Sequence, residues 1–438
     1  MAPNRLVVVG GGLAGSEAAW QAANRGIEVD LWEGRPELDT PAHSTSYLGE
    51  LVCSNSLGAD VPRTPAGLLK QELRRLNSVI MWAADAHRVP AGKALAVDRL
   101  GFARAITGRL ASHPRIRLRR GEVTAIPGDP CVIATGPLTS DKLAAALQSA
   151  LGGRFLHFYD AAAPIVLAET VDLAKAFWAN RYEEGGEDYL NCPLNKEEYE
   201  AFWQALVEAE TVPLGEVDRL LFFEGCLPVE ELGRRGRDTL RFGPLKPVGL
   251  TSPHTGRRPW AVVQLRKEDR GGRLLGLVGF QTRLRWGEQA RVFRLIPGLE
   301  QAEFVRYGVM HRNTYLDAPE VIEPTYEAKA RRGLFLAGQL TGVEGYLEST
   351  VSGLVAGINA ARCLRGRPPV VFPEETLTGA LARFITTPRP QVQPMNANFG
   401  LLPPLEHRPP GQAERRQRLE ERALARLEEF LDSSEFAL

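Results

Sequence analysis

The sequence has little cysteine, little lysine and no long apolar run. Its five cysteines are an odd number and include no Cys-x-x-Cys pair, which argues against both a disulfide framework and a zinc site. No run approaches the ~20 apolar residues that a membrane-spanning helix needs. The first apolar run is also too short for a signal peptide and lacks a basic start. We therefore expect a reduced, cytoplasmic protein that binds no metal.

The sequence also lacks net charge, because 53 basic residues balance 53 acidic ones. Bulk electrostatics therefore does not indicate a nucleic-acid partner. Only eight of the basic residues are lysine, however. Arginine binds phosphate through a planar fork and stacks on bases, but genomic composition or thermal adaptation also enriches it, so composition leaves both explanations open. The 438 residues are enough for two or three domains.

The chain opens on a dinucleotide-binding fingerprint, in which an apolar strand, Leu6–Val9, leads into a glycine-rich turn and a helical pattern. The turn consists of Gly10, Gly11, Gly12, Leu13, Ala14 and Gly15. The first glycine allows the tight turn, the third lets the backbone approach a pyrophosphate, and the last lets helix and strand pack closely. A second strand ends in Glu33, at about the 20-residue offset of an acid that binds a ribose hydroxyl. We predict a bound adenine dinucleotide with its phosphates at the helix N-terminus.

Two later strands also stop at glycine, one at Thr135-Gly136 and one at Gly338-Gln339. They predict an α/β fold in which one Rossmann-like domain is assembled from both ends of the chain around a large α+β insertion. We place the first part at residues 1–150, the substrate- and tRNA-facing insertion at 151–320, and the second part, with a C-terminal wrap and helix, at 321–438.

Several other elements follow from the pattern. Strands are predicted at 163–167, 220–223, 260–264 and 274–278, and helices at about 195–210, after Gly345 and at 412–431. Gly353 and Gly357 would let the helix after Gly345 pack closely against its neighbours. The proline-rich segment 366–410 is predicted to lack much regular structure, and the last helix to carry a solvated, ion-paired face rather than an RNA-binding arm.

Longer motifs extend over the whole chain, in collinear order. They are Gly10–Gly15, Glu50–Leu57, Phe223–Pro228, Met310–Thr314, Gly338–Ser349 and Gln393–Leu402. With these motifs the chain resembles the folate- and FAD-dependent tRNA uracil-5 methyltransferases (TrmFO). A related family, the wobble-uridine enzymes MnmG (GidA), is similar in the FAD region but carries an additional C-terminal helical domain. The two cysteine motifs, and a chain that stops soon after its last helix, favour the methyltransferase.

The resemblance implies a Rossmann-like FAD-binding domain, with FAD on the opening fingerprint and near Thr135, Gly136, Gly338 and Gln339. The helix that begins near Tyr346–Ser349 would direct its positive N-terminus at the pyrimidine end of the flavin. The resemblance also implies 5,10-methylenetetrahydrofolate as carbon donor, NADH or NADPH as reductant, and ribothymidine in the T-loop of tRNA as product.

This chemistry needs a reactive cysteine, because uracil C5 is a poor nucleophile until a thiolate adds to C6. Cys226, which follows an apolar strand and precedes an arginine group, is our candidate for attack at C6. Cys53, in a Ser/Asn-rich loop, is assigned to the flavin side or to deprotonation of C5, and the reverse assignment stays open. Cys131, Cys192 and Cys363 fit the ordinary role of small buried side chains, with Cys192 expected in a loop.

Two further sites are predicted, one for the folate and one for tRNA phosphates. His311 is a candidate for stacking on the pterin of the folate, with Arg312 attracting its glutamate tail, although a loop histidine with a structural hydrogen bond is the alternative. For tRNA phosphates we select Arg234, Arg235, Arg237 and Arg241. The arginines at 115–120 and 257–258 are other candidates. Those at 115–120 are also explained if they occupy the outward-facing positions of an edge strand.

Three other functions are compatible with a flavin site. They are wobble-uridine modification, oxidation or reduction of a small molecule without RNA, and a non-enzymatic flavin-containing protein that binds tRNA. Methylation from folate distinguishes the predicted activity from all three.

Overall fold

The structure is a computed structural model. It describes residues 5–38, 40, 42–128, 130–152, 155–161, 163–181, 186–212, 227–308, 310–389, 392, 394–407 and 409–436, with the backbone alone at 155–161 and 310–314. None of the helices within these ranges is long and apolar enough to cross a membrane.

The described chain alternates strands and helices. The strands are Arg5–Val9 (β1), Glu28–Glu33 (β2), Ser56–Ala59 (β3), Arg88–Val89 (β4), Ala94–Val97 (β5), Ile116–Arg120 (β6), Cys131–Ile133 (β7), Phe155–Ala161 (β8), Ile165–Leu167 (β9), Phe177–Trp178 (β10), Tyr189–Leu194 (β11), Ala261–Lys267 (β12), Leu274–Leu277 (β13), Phe304–Arg306 (β14), Met310–Leu316 (β15) and Leu334–Leu336 (β16). The helices are Leu13–Asn24 (α1), Pro65–Arg75 (α2), Val79–Ala86 (α3), Arg99–Ala111 (α4), Asp141–Leu151 (α5), Lys196–Glu208 (α6), Val229–Arg234 (α7), Thr239–Phe242 (α8), Trp286–Phe293 (α9), Ala318–Val321 (α10), Tyr346–Leu364 (α11), Leu377–Thr386 (α12) and Gln412–Asp432 (α13).

A five-stranded parallel sheet in the order β16-β7-β1-β2-β6 carries the N-terminal fingerprint. Its central strands are apolar because both faces are covered, as is usual in parallel sheets. Strand β16 pairs with β7 although about 200 residues separate them in the chain. The predicted fold class, a Rossmann-like domain drawn from both ends of the chain, is confirmed.

Helices α1 and α11 pack against each other through the two predicted glycines. A Cβ added at Gly353 would lie 2.1 Å from the carbonyl oxygen of Ala14, and one at Gly357 would lie 2.5 Å from that of Ala18. Side chains at these positions would separate the helices, so glycine sets the close approach. The contact brings the start of α11 beside the N-terminal turn.

The middle of the chain forms a six-stranded antiparallel sheet in the order β10-β11-β12-β13-β9-β14. It has its own hydrophobic core, whose buried residues run from Val166 to Ala302. Helix α6 covers this core, and a capping box between Asn195 and Glu198 fixes where it begins. The domain boundaries placed at 150 and 320 stay predictions.

Two sequence expectations are wrong. Segment 366–410 contains helix α12, which starts where the Thr376 side chain accepts a hydrogen bond from the Gly379 N–H, and which buries its apolar face. Cys192 lies in strand β11 opposite Val263, not in a loop, and burial raises the pKa of its thiol. The predicted strand at 220–223 lies outside the described residues.

Candidate functional site

The turn between β1 and α1 forms one wall of a cavity. Gly10 has φ of +102°, which glycine adopts without strain, and a Cβ at Gly15 would lie 1.8 Å from the Gly10 carbonyl oxygen. A Cβ at Gly12, in contrast, would meet nothing within 4 Å. No side chain caps the N-terminus of α1, so its first N–H groups are available to a phosphate.

Glu33 lies at the end of β2 and lines the same cavity. Its carboxylate accepts hydrogen bonds from the Gly11 N–H at 3.0 Å and from Arg35 Nε at 2.9 Å. Burial opposes ionisation, but the hydrogen bonds and charge of Arg35 hold the pKa of Glu33 below its ordinary value. An ionised acceptor at this position can bind a ribose hydroxyl.

Arg35 also reaches Glu50, at 2.9 Å. The Glu50 carboxylate in turn accepts hydrogen bonds from the backbone and hydroxyl groups of Ser44 and Thr45. Sequence reasoning missed these contacts. Through Arg35 they connect Glu33, at the end of β2, to Glu50, three residues before Cys53.

The remaining predicted cofactor residues line the other walls of the cavity. They are Thr135, Gly136, Gly338 and Gln339. The Gly338 N–H donates to Ser352 Oγ of α11 at 2.7 Å, and Ser349, in the first turn of α11, also lines the cavity. The start of this helix carries no side-chain cap, so its positive end can face an anionic ligand.

Cys53 follows Val52, which lines the larger cavity, and itself lines a smaller adjoining cavity of about 130 Å³. The backbone N–H groups of Cys53 and Ser54 both donate to Tyr346 Oη, at 2.8 and 3.1 Å. Because Tyr346 is the first residue of α11, the cysteine loop is attached directly to the helix that borders the larger cavity.

Cationic side chains surround this loop. Arg306 donates to the Cys53 carbonyl oxygen at 3.1 Å, and Arg99 approaches it at 3.4 Å. Arg266 donates to Ser54 Oγ at 3.2 Å. Glu268, paired with Arg99 at 2.8 Å, is the one carboxylate among the described residues that line the small cavity.

Arg306 lines this cavity close to a second cation, Arg99. Burial and the charge of Arg99 lower the pKa of Arg306. Its buried Nε has no hydrogen-bond partner among the residues that the structure describes. The cavity is therefore electropositive and partly open, the setting that a reactive thiolate requires.

Three predicted site residues are placed only in part or not at all. Cys226 lies outside the described residues. The described chain resumes at Leu227, and the Val229 N–H donates to the carbonyl oxygen of Gln281, which lines the Cys53 cavity. His311 and Arg312 belong to β15, paired with β8, but their side chains are not among those described.

The arginines selected for tRNA have different surroundings. Arg234 pairs with Glu231 at 2.8 Å, and Arg237 pairs with Glu200. Arg241 stacks on Trp260. The arginines at 115–120 lie on or beside β6, an edge strand as predicted. No group of three or more potential metal ligands was found among the described residues.

A parallel sheet, a glycine turn before an uncapped helix and an acid at the end of the second strand define a Rossmann-like dinucleotide-binding protein. The glucose inhibited division protein A family model matches residues 5–368. The chain belongs to this family and, within it, to the TrmFO proteins.

Two relatives support this assignment, and one solved structure supports the fold. A TrmFO named methylenetetrahydrofolate–tRNA-(uracil-5-)-methyltransferase, from Moorella thermoacetica, is 60% identical over 96% of this chain and 97% of its own length. A protein of the same name from Heliobacterium modesticaldum is 57% identical over 97% of this chain and 98% of its own. The structure of GidA from Aquifex aeolicus superposes with a TM-score of 0.69 at 19% identity, covering 99% of this chain and 74% of that one. The predicted family is confirmed.

Proposed function

We propose that this protein is a methylenetetrahydrofolate–tRNA (uracil-5-)-methyltransferase that forms ribothymidine in the T-loop. One observation carries the proposal. Cys53 lines an electropositive cavity, and the residue before it, Val52, lines the dinucleotide cavity. A thiol next to a flavin site is the arrangement that reductive methylation of a pyrimidine requires.

The residues of the larger cavity fit FAD. The α1 N-terminus offers N–H groups to the pyrophosphate, the open space above Gly12 admits it, and Glu33 accepts a ribose hydroxyl. Gly338, Gln339 and the start of α11 would adjoin the flavin ring. When bound and reduced by NADH or NADPH, FAD supplies the hydride that completes the methyl group.

The two cysteines divide the remaining chemistry. The Cys226 thiolate adds to C6 of uracil, and the resulting C5 carbanion attacks the methylene carbon of methylenetetrahydrofolate. Cys53 acts on the flavin side or removes the C5 proton, and the bond between the methylene carbon and the folate nitrogen breaks, which releases tetrahydrofolate. Once the methylene carbon has received hydride, the Cys226–C6 bond breaks and the thiolate is released. The arginines around Cys53 favour anionic groups in this cavity.

The remaining predicted residues bind the two substrates, methylenetetrahydrofolate and tRNA. His311 stacks on the pterin, Arg312 attracts the glutamate tail, and arginines of 234–241 contact tRNA phosphates. The domain division at 150 and 320 and a cytoplasmic location, where tRNA and folate meet, belong to the same proposal.

The test is methylation of an unmodified tRNA transcript by the purified yellow protein with NAD(P)H and methylene-labelled methylenetetrahydrofolate. We expect label in ribothymidine from the folate and none from S-adenosylmethionine, the control donor. Absence of label with a reducible flavin would reject the methyltransferase in favour of wobble-uridine or small-molecule chemistry.

His311→Ala tests the folate site. We expect about a tenfold rise in the KM for methylenetetrahydrofolate, since one aromatic stacking contact is lost, while flavin content per chain stays unchanged. His407→Ala, at an exposed position, is the matched control and should leave the KM within twofold. An unchanged KM in His311→Ala would assign this histidine to a structural role.

A further inference from the structure

A groove of about 1100 Å³ lies on the middle domain, away from both cavities described above. It is bordered by the end of β11, the start of α6, helix α8 and the segment 246–260. Its volume is at the upper limit of small-molecule pockets, so it is large enough for part of a macromolecule.

The groove is basic in a chain without net charge. Six cations line it, namely Lys175, Lys196, Arg241, Lys246, Arg257 and Arg258, against one carboxylate, Glu198. Carboxylates outside the lining, Glu300, Glu200 and Asp238, pair with Lys175, Lys196 and Arg241. Three of these cations are lysines, although the whole chain has only eight. Arg257 and Arg258 are exposed and form no ion pair with any residue that the structure describes. Two strong phosphate ligands are therefore available without breaking a contact.

Aromatic rings lie among these charges. Phe242 is 82% exposed, which leaves a flat apolar face open to solvent. The guanidinium of Arg241 lies 3.6 Å from the centre of the Trp260 ring, and Arg241 Nε donates to the Trp260 carbonyl oxygen at 3.1 Å. Exposed rings among cations are typical of surfaces that stack unpaired bases and bind phosphates. An acidic protein partner would use the charges but has no need of the open ring.

The groove and the Cys53 cavity lie near opposite ends of the same strand. Trp260, just before β12, borders the groove, and Arg266, near the end of β12, lines the Cys53 cavity. Six residues of extended chain separate them by about 20 Å. One tRNA molecule can span that distance.

From these observations we propose that the groove binds the tRNA substrate at a second point, about 20 Å from the Cys53 cavity. Arg257 and Arg258 contact phosphates, and Phe242 stacks on one unpaired base. The proposal rests on the tRNA substrate proposed above and adds a second place at which the enzyme binds that tRNA.

The experiment measures the Kd of fluorescently labelled tRNA transcript for the FAD-loaded protein over a series of salt concentrations. We expect the double variant Arg257→Ala/Arg258→Ala to weaken binding about tenfold and to reduce the slope of log Kd against log salt by about one to two. The matched control is Arg415→Ala/Arg416→Ala, a pair of adjacent exposed arginines at the start of α13. It should change neither value.

Phe242→Ala separates stacking from charge. We expect about tenfold weaker binding with an unchanged salt slope, because a neutral ring releases no counterions. Trp82→Ala, at a partly exposed ring on α3, is the control. Both control variants, Arg415→Ala/Arg416→Ala and Trp82→Ala, should keep the wild-type single-turnover rate of methylation.

Two results would overturn the proposal. One is an unchanged Kd and an unchanged salt slope in both groove variants, although the wild-type protein methylates tRNA. The other is displacement of tRNA by poly-glutamate without any effect of Phe242→Ala, which would assign the groove to an acidic protein. Wild-type protein that methylates no tRNA would instead reject the proposed function.

Discussion

Replacement of Cys226 by serine is expected to lower tRNA methylation by about four orders of magnitude or more while leaving FAD bound. A serine hydroxyl is not ionised near neutral pH, so it cannot add to C6 as a thiolate does, and loss of a covalent nucleophile has effects of this size. The measurement is ribothymidine formed per chain, alongside the flavin absorbance of the purified variant. Cys363→Ser, near the end of α11, is the control and should keep wild-type activity.

The two cysteine roles can be separated with two substrates. We expect Cys53→Ala to form a denaturant-resistant adduct with tRNA that contains 5-fluorouridine, because Cys226 still adds to C6. The same variant should release no tritium from C5 of labelled uridine, whereas Cys226→Ser should neither form the adduct nor release tritium. An adduct with Cys226→Ser but none with Cys53→Ala would establish the reverse assignment. Full activity in Cys226→Ser would remove this residue from the mechanism.

The part of the site that could be predicted from sequence is local in the chain. Gly10–Gly15 and Glu33 lie within 30 residues, and each position follows from a backbone requirement or a strand end that a pattern reveals. The close packing at Gly353 and Gly357 is of the same kind, since spacing of four along a helix already places both glycines on one face.

The surroundings of Cys53 could not be predicted in this way. Its loop is bonded to Arg99, Arg306 and Tyr346, which are 46, 253 and 293 residues further along the chain. No spacing connects such residues, and only the folded sheet and α11 bring them together. Helix α12 was missed for a similar reason, because the buried carboxylate of Glu72 accepts N–H bonds from Leu377 and Thr378, at its first turn.

The second large effect concerns the open space above Gly12. We expect Gly12→Val to lower FAD affinity about 10- to 100-fold, since overpacking at a close contact costs about 1–3 kcal/mol. Because an added Cβ meets no protein atom within 4 Å, the apoprotein should keep its Tm. Measurement of the FAD Kd by fluorescence, with thermal unfolding of the apoprotein, tests both statements.

Two other glycines make this prediction specific. A Cβ at Gly108, at an exposed position of α4, also meets nothing within 4 Å, so Gly108→Val should change neither FAD affinity nor the fold. A Cβ at Gly15 would collide with the Gly10 carbonyl, so Gly15→Val should lower both FAD affinity and the apoprotein Tm. If Gly12→Val binds FAD normally, the pyrophosphate does not lie over this turn. If it lowers the Tm as much as Gly15→Val does, the glycine serves the fold and not the cofactor.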